Sequence, residues 1–205
     1  MKKFEERKFK IPKLKGVSEK NVEEHLKLYV GYVKNANLIL DSIRSENTLR
    51  ALAASNGAEE IAISELQRRF SFEFNGMRNH EYFFAQFENG PRALSPKSSF
   101  VEMLGEEFGS FEIWLTHFKV LALTRGIGWA MLYYDPLTKR LLNAWVDEQH
   151  IGQLNGCQTI LALDMWEHAF VADYQPSGKK NYIEDFFVNL NWEVVEKNFS
   201  KAKIA

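Results

Sequence analysis

Residues Leu161–Tyr174 read LALDMWEHAFVADY, and the organisation of the chain turns on them. Ile160, Leu161, Ala162 and Leu163 form an apolar run of β character that delivers Asp164, and Trp166, Glu167 and His168 follow at once. Asp164 and His168 are four residues apart, so a strand that breaks into a helical turn after Asp164 lets both side chains converge on one point. A carboxylate and an imidazole presented this way, bedded in Trp and Phe, are two metal ligands in a largely apolar wall. The same spacing also fits a capped helix with Asp164 at its start and a core histidine one turn in.

The composition sets the frame for that stretch. A chain of 205 residues, 45% hydrophobic and 14% aromatic, can bury a substantial core in one large domain or two small ones. With 26 basic against 27 acidic residues the net charge is −1, so no global field argues for nucleic acid or an anionic membrane as partner. The single cysteine, Cys157, excludes an intrachain disulfide and a zinc knuckle. The basic start MKKFEERKFKIPKLKG has no apolar core of a signal peptide, and a reducing cytoplasm is the simplest address. No apolar run approaches the ~20 residues of a membrane span.

Upstream, the first 16 residues read as an extended arm, broken by Pro12 and Gly16. Ser18 is an N-cap candidate for a long helix to about Arg44 whose apolar stripe carries His25, Tyr29 and Tyr32. A second helical segment spans about Glu46 to Phe70, loosened around Ser55, Asn56 and Gly57. A turn is expected at Asn75 and Gly76, then a short aromatic helix holding His80 among Tyr82, Phe83, Phe84 and Phe87. A histidine buried there must find a hydrogen bond or a metal. The proline- and glycine-bearing segment from Asn89 to Lys97 is the best domain boundary, dividing the chain into residues 1–90 and 91–205. Helices over Ser98–Leu104 and Ser110–Leu123 come next. A hairpin from Gly126 to Val146 and a strand over Thr159–Leu163 predict a small three-stranded sheet, and helices close the chain. The expectation is an α+β protein: an N-terminal helical hairpin domain, then an α/β domain with a small antiparallel sheet.

With His80, Asp164 and His168 in place, the chain resembles the iron/manganese superoxide dismutase family. DMWEHAFVADY is similar to the family signature DxWEHAYxxDY; FNG with NHEYFF, FGSF, GIGWAMLYYD and NWEVVEKNF support it in the family's order, from about Ser18 to Phe199. The resemblance implies one Mn or Fe ion per chain between the two domains, cycling between +3 and +2 as superoxide becomes dioxygen and hydrogen peroxide. It implies His80, Asp164 and His168 as ligands, Trp129 and Trp166 as site walls, Tyr32 at the substrate funnel and Gln149 as the outer-sphere glutamine that tunes the potential. Gly76 stands where the iron branch places that glutamine, an arrangement closer to the manganese or cambialistic type. Glu167 matches the glutamate that reaches the other subunit's metal site, which implies a homodimer and leaves a tetramer open.

The departures from the family are specific. Aligned from Tyr32, the first ligand position falls on Glu24, one residue before His25. A helix absorbs one residue as a π-bulge, so a chain without that insertion can still aim His25 at the metal, and His25 is the expected ligand. Leu28 and Val171 stand where the family often has a histidine and a tyrosine that meet across the dimer, and Lys179 or Lys180 is nearest to its funnel cation. Two other readings stay open. A two-histidine, one-carboxylate set without His25 would suit a non-haem metal enzyme of another reaction type, and a scaffold without metal would be a binding protein.

Overall fold

A computed structural model describes residues 2–54 and 57–204. The N-terminal arm runs without helix or strand to Ser18, lying on the helices behind it: the Phe4 amide donates to Asn37 Oδ1, Asn37 Nδ2 returns to the Phe4 carbonyl, and the Arg7 amide donates to Tyr29 Oη. Ser18 caps α1 (Glu19–Ile43), its side chain accepting from the Asn21 amide as its residue type favours. Helix α2 (Glu46–Ala53) is short, and α3 (Ala58–Ala85) packs along α1. Of the residues expected to loosen this region, Ser55 and Asn56 lie outside the described residues; Gly57 has φ 106°.

The expected turn at Asn75 and Gly76 does not form. α3 passes through both without a break. Asn75 satisfies its amide by donating to the Ser71 carbonyl one turn back, and Gly76 is there for close approach. A Cβ on Gly76 would stand 2.6 Å from the Tyr32 ring, so the missing side chain lets α1 and α3 meet. Tertiary packing has overridden the local turn preference of the Asn-Gly pair.

Helices α4 (Ser99–Phe108) and α5 (Phe111–Ala122), each capped by a serine side chain, lead into β1 (Gly128–Asp135), β2 (Arg140–Asp147) and β3 (Gln158–Asp164). The sheet is antiparallel in the order β2-β1-β3, with β1 at its centre and buried through Tyr134. Strand β3 is apolar from Ile160 to Leu163, where α3 and α8 (Trp192–Ala202) pack against it. Two further helices, α6 (Glu167–Tyr174) and α7 (Lys179–Asn189), follow the sheet, so the N-terminal part of the chain is helical and the C-terminal part is α+β. Among the described residues no helix is long and apolar enough to cross a membrane.

Candidate metal centre

Four elements converge where β3 ends. Register pairs Asp164 with Trp129 of the central strand, and the Asp164 carbonyl accepts from Tyr182 Oη at 2.9 Å, so the backbone that carries the carboxylate is fixed. Asp164 Oδ1 accepts from the Trp166 amide, which turns the chain into α6 and brings His168 back one turn later. The strand-to-helix break is thus present, but Asp164 does not cap the helix: the N-cap of α6 is Trp166, which makes no side-chain cap hydrogen bond. Oδ2 is left facing inward.

Three imidazoles surround that oxygen. His25 Nε2 lies 3.1 Å from it, His168 Nε2 3.2 Å and His80 Nε2 3.6 Å, and the four donor atoms all lie within 4.8 Å of one another. His25 sits on α1 with its ring against Phe83 and Phe84, whereas Glu24 points outward, 58% exposed and paired with Lys27 at 2.7 Å. Helix α1 is α-helical through both, with no π turn. His80 donates from Nδ1 to the Gly76 carbonyl at 2.6 Å, which fixes its tautomer and turns the Nε2 lone pair toward the cluster. That Nε2 is fully buried and has no hydrogen-bond partner.

A buried acceptor without a donor costs free energy unless something fills it. Nitrogen and carboxylate donors 3.1–3.6 Å from a shared oxygen are spaced as bonds of roughly 2.1 Å to one centre would space them. Three imidazoles and a carboxylate are borderline donors that suit Mn or Fe, so the residues fit one such ion. The electrostatics agree with a ligand set. Burial, reinforced by the neighbouring His25 imidazole, pulls His80 down to about 3, and burial also lowers His25, so both rings stay neutral. Burial pushes the Asp164 carboxyl up, yet the facing His168 and His25 rings outweigh it and keep the group ionised.

A second layer stands against this cluster. Trp129 Nε1 donates to Gln149 Oε1 at 3.0 Å, and Gln149 Nε2 donates to Tyr32 Oη at 3.0 Å. The Tyr32 ring in turn lies against His80 with centroids 5.0 Å apart. Glu148 adopts φ 51°, a left-handed conformation that is unfavourable for its residue type, and the next residue, Gln149, is carried into the interior. Asn79, beside His80, was not singled out by the sequence reading: its Nδ2 donates to the Gln149 carbonyl at 2.9 Å. Its adjacency to His80 was the available signal, since a polar residue on a buried helix face needs a partner.

Residues 96–198 match iron/manganese superoxide dismutases, C-terminal domain. The chain is 30% identical over 180 residues to "Superoxide dismutase [Fe]" of Pyrobaculum aerophilum, covering 87% of this chain and 81% of that one. The chain belongs to the iron/manganese superoxide dismutase family. Another relative, "Superoxide dismutase [Mn/Fe]" of Aeropyrum pernix, is 31% identical over 87% of this chain and 80% of its own length, and "Superoxide dismutase [Fe]" of Aquifex aeolicus is 29% identical over 92% and 87%. For this member of the iron/manganese superoxide dismutases, three imidazoles converge rather than two. The two-histidine, one-carboxylate reading therefore loses its basis.

Proposed function

We infer that this chain dismutates superoxide to dioxygen and hydrogen peroxide at one Mn or Fe ion, held by His25, His80, Asp164 and His168. The observation that carries the reading is the convergence of those four donors, with His80 Nε2 left without a partner, in a chain of this family. An ion held by these four donors would supply the one-electron redox chemistry that disproportionation of superoxide requires. The protein's own groups supply orientation and protons. Two superoxide ions need two protons to leave as dioxygen and hydrogen peroxide.

Tyr32 is placed to pass such protons. Its Oη accepts from Gln149, so its own hydrogen is free to donate elsewhere. Burial first, and then the carboxylates of Asp164 and Glu73, raise its phenol well above the usual range, so the proton is retained at neutral pH. Gln149 is held at both ends of its amide by Trp129 and Tyr32, and its orientation sets the hydrogen-bonding field at the centre. Trp129, His80, Gln149 and Asp164 are all buried, which keeps bulk water from the donors.

The quaternary reading rests on Glu167. It is exposed immediately before His168, with Leu28 also exposed on α1, and it joins two chains as a homodimer by accepting from a metal-site histidine of the partner. Sedimentation distinguishes dimer from tetramer. The domains divide near Gly90, with the donors of α1 and α3 on one side and those of β3 and α6 on the other. A reducing cytoplasm suits the lone free Cys157. Elemental analysis with a superoxide assay on the purified chain tests the whole reading: about one Mn or Fe per chain and dismutation without a co-substrate are expected. A metal-free, inactive protein overturns it.

A further inference from the structure

We propose that Arg69, set on Phe72 at the rim of the metal centre, draws superoxide in, and that the buried Glu73 beside it tempers that pull. The inference rests on the dismutase reading of this same site. Access comes first. His25, His80, Asp164, Trp129 and Gln149 are buried, while His168 keeps 22% of its side chain exposed and Tyr32 and Trp166 are half-buried, so the solvent-facing opening of the site lies at these three.

Phe72 forms one edge of that opening. Its ring lies 6.0 Å from Tyr32, 6.3 Å from Trp166 and 5.8 Å from His150. The Arg69 guanidinium sits 3.7 Å over the same ring, and its Nε donates to Glu73 Oε1 at 2.8 Å. The pair is lopsided: Arg69 is 50% exposed and Glu73 5%, with Asn35 Nδ2 donating to the other carboxylate oxygen at 3.3 Å. A fixed cation therefore faces solvent and its counter-charge lies behind it. Lys179 is committed elsewhere, donating to the Thr124 carbonyl at 2.8 Å with its ammonium over Trp145.

Superoxide is an anion, and superoxide dismutases are among enzymes whose kcat/KM reaches the diffusional ceiling. At that ceiling a charge at the opening changes the encounter rate, and salt removes the effect as the screening length falls from about 30 Å at 0.01 M to about 3 Å at 1 M. A single charge roughly 10 Å from the approach path changes the rate about twofold in water and more in a low-dielectric opening.

The test is kcat/KM of metal-loaded protein against ionic strength, by rapid mixing with superoxide. Arg69→Gln should lose roughly two- to fivefold at 0.01 M and meet the unaltered protein at 1 M. Arg69→Lys should keep most of the rate, and Glu73→Gln should exceed the unaltered rate at low salt. A purely structural role would lower activity equally at every salt concentration. That outcome, or an Arg69→Gln rate and salt slope equal to those of the unaltered protein, overturns the proposal. If Arg69→Gln fails to accumulate, a Glu73→Gln rate at or below the unaltered one refutes it independently. An unaltered chain with no dismutase activity strikes at the functional reading and the inference falls with it; an active chain indifferent to both residues strikes at the inference alone.

Discussion

His25 Nε2 stands 3.1 Å from Asp164 Oδ2, although the two residues are 139 positions apart in the chain. That contact joins the first helix to the end of the last strand and puts His25, not its neighbour Glu24, among the donors. His25→Ala should lose the metal and the activity, because a site that keeps one coordination position open tolerates little ligand loss. Glu24→Gln should keep both, since Glu24 is exposed and its partner is Lys27. Metal content by elemental analysis decides; a dead Glu24→Gln beside an active His25→Ala would reverse the assignment.

Gly76→Ala should damage activity more than metal content. The new Cβ would meet the half-buried Tyr32 ring at 2.6 to 2.9 Å, and a ring pushed that far gives up its hydrogen bond from Gln149. Overpacking of this kind costs roughly 1–3 kcal/mol in stability. The expected result is a lower melting temperature and reduced turnover with about one metal per chain retained. A variant of unchanged activity and stability would show that α1 and α3 move apart at little cost.

The metal-free protein should weaken in mild acid. His80, lowered to about 3 by burial and by His25, and His25, lowered by burial, are neutral when folded but take up protons once unfolded. The unfolded chain then binds more protons, so stability rises with pH across this window. Their contribution is fully present above the ordinary histidine value near 6.5 and is lost as pH falls from there toward 3. Asp164 acts in the same direction at lower pH, because its folded carboxyl lies below its ordinary value. Thermal melts of the metal-free chain should be flat from about pH 8 to 7 and fall between about 6.5 and 4, and His80→Gln should flatten the fall. A melting temperature that rises on acidification contradicts this.

Glu167→Ala should weaken the dimer and loosen the metal. Truncating one member of a hydrogen-bonded charge pair across an interface costs roughly 2–5 kcal/mol. Sedimentation velocity of the unaltered and altered proteins, with metal content measured alongside, checks the pairing. An unaltered chain that sediments as a monomer removes the role given to Glu167.

The local pattern of residues carried a good part of this protein. The spacing of Asp164 and His168 specifies a strand-to-helix junction with two donors on one side, and the stripe of His25, Tyr29 and Tyr32 specifies one helix face. The two apolar runs of the hairpin between Gly126 and Val146 specify the small sheet. These are short-range properties, set by periodicity and by the conformations each residue type permits. Tertiary structure decided what periodicity leaves open. One residue along a helix is a rotation of roughly 100°, so the choice between Glu24 and His25 depends on which faces Phe83, Phe84 and Asp164. Asn75 and Gly76 have the composition of a turn, and only the Tyr32 ring pressed against Gly76 explains a continuous helix. Gln149 has no distinguishing local signal, since its role comes from the left-handed backbone at Glu148 and from partners 20 and 117 positions away, Trp129 and Tyr32. Contacts at such separations are specified by the packing of the whole chain and leave no periodic trace in either partner.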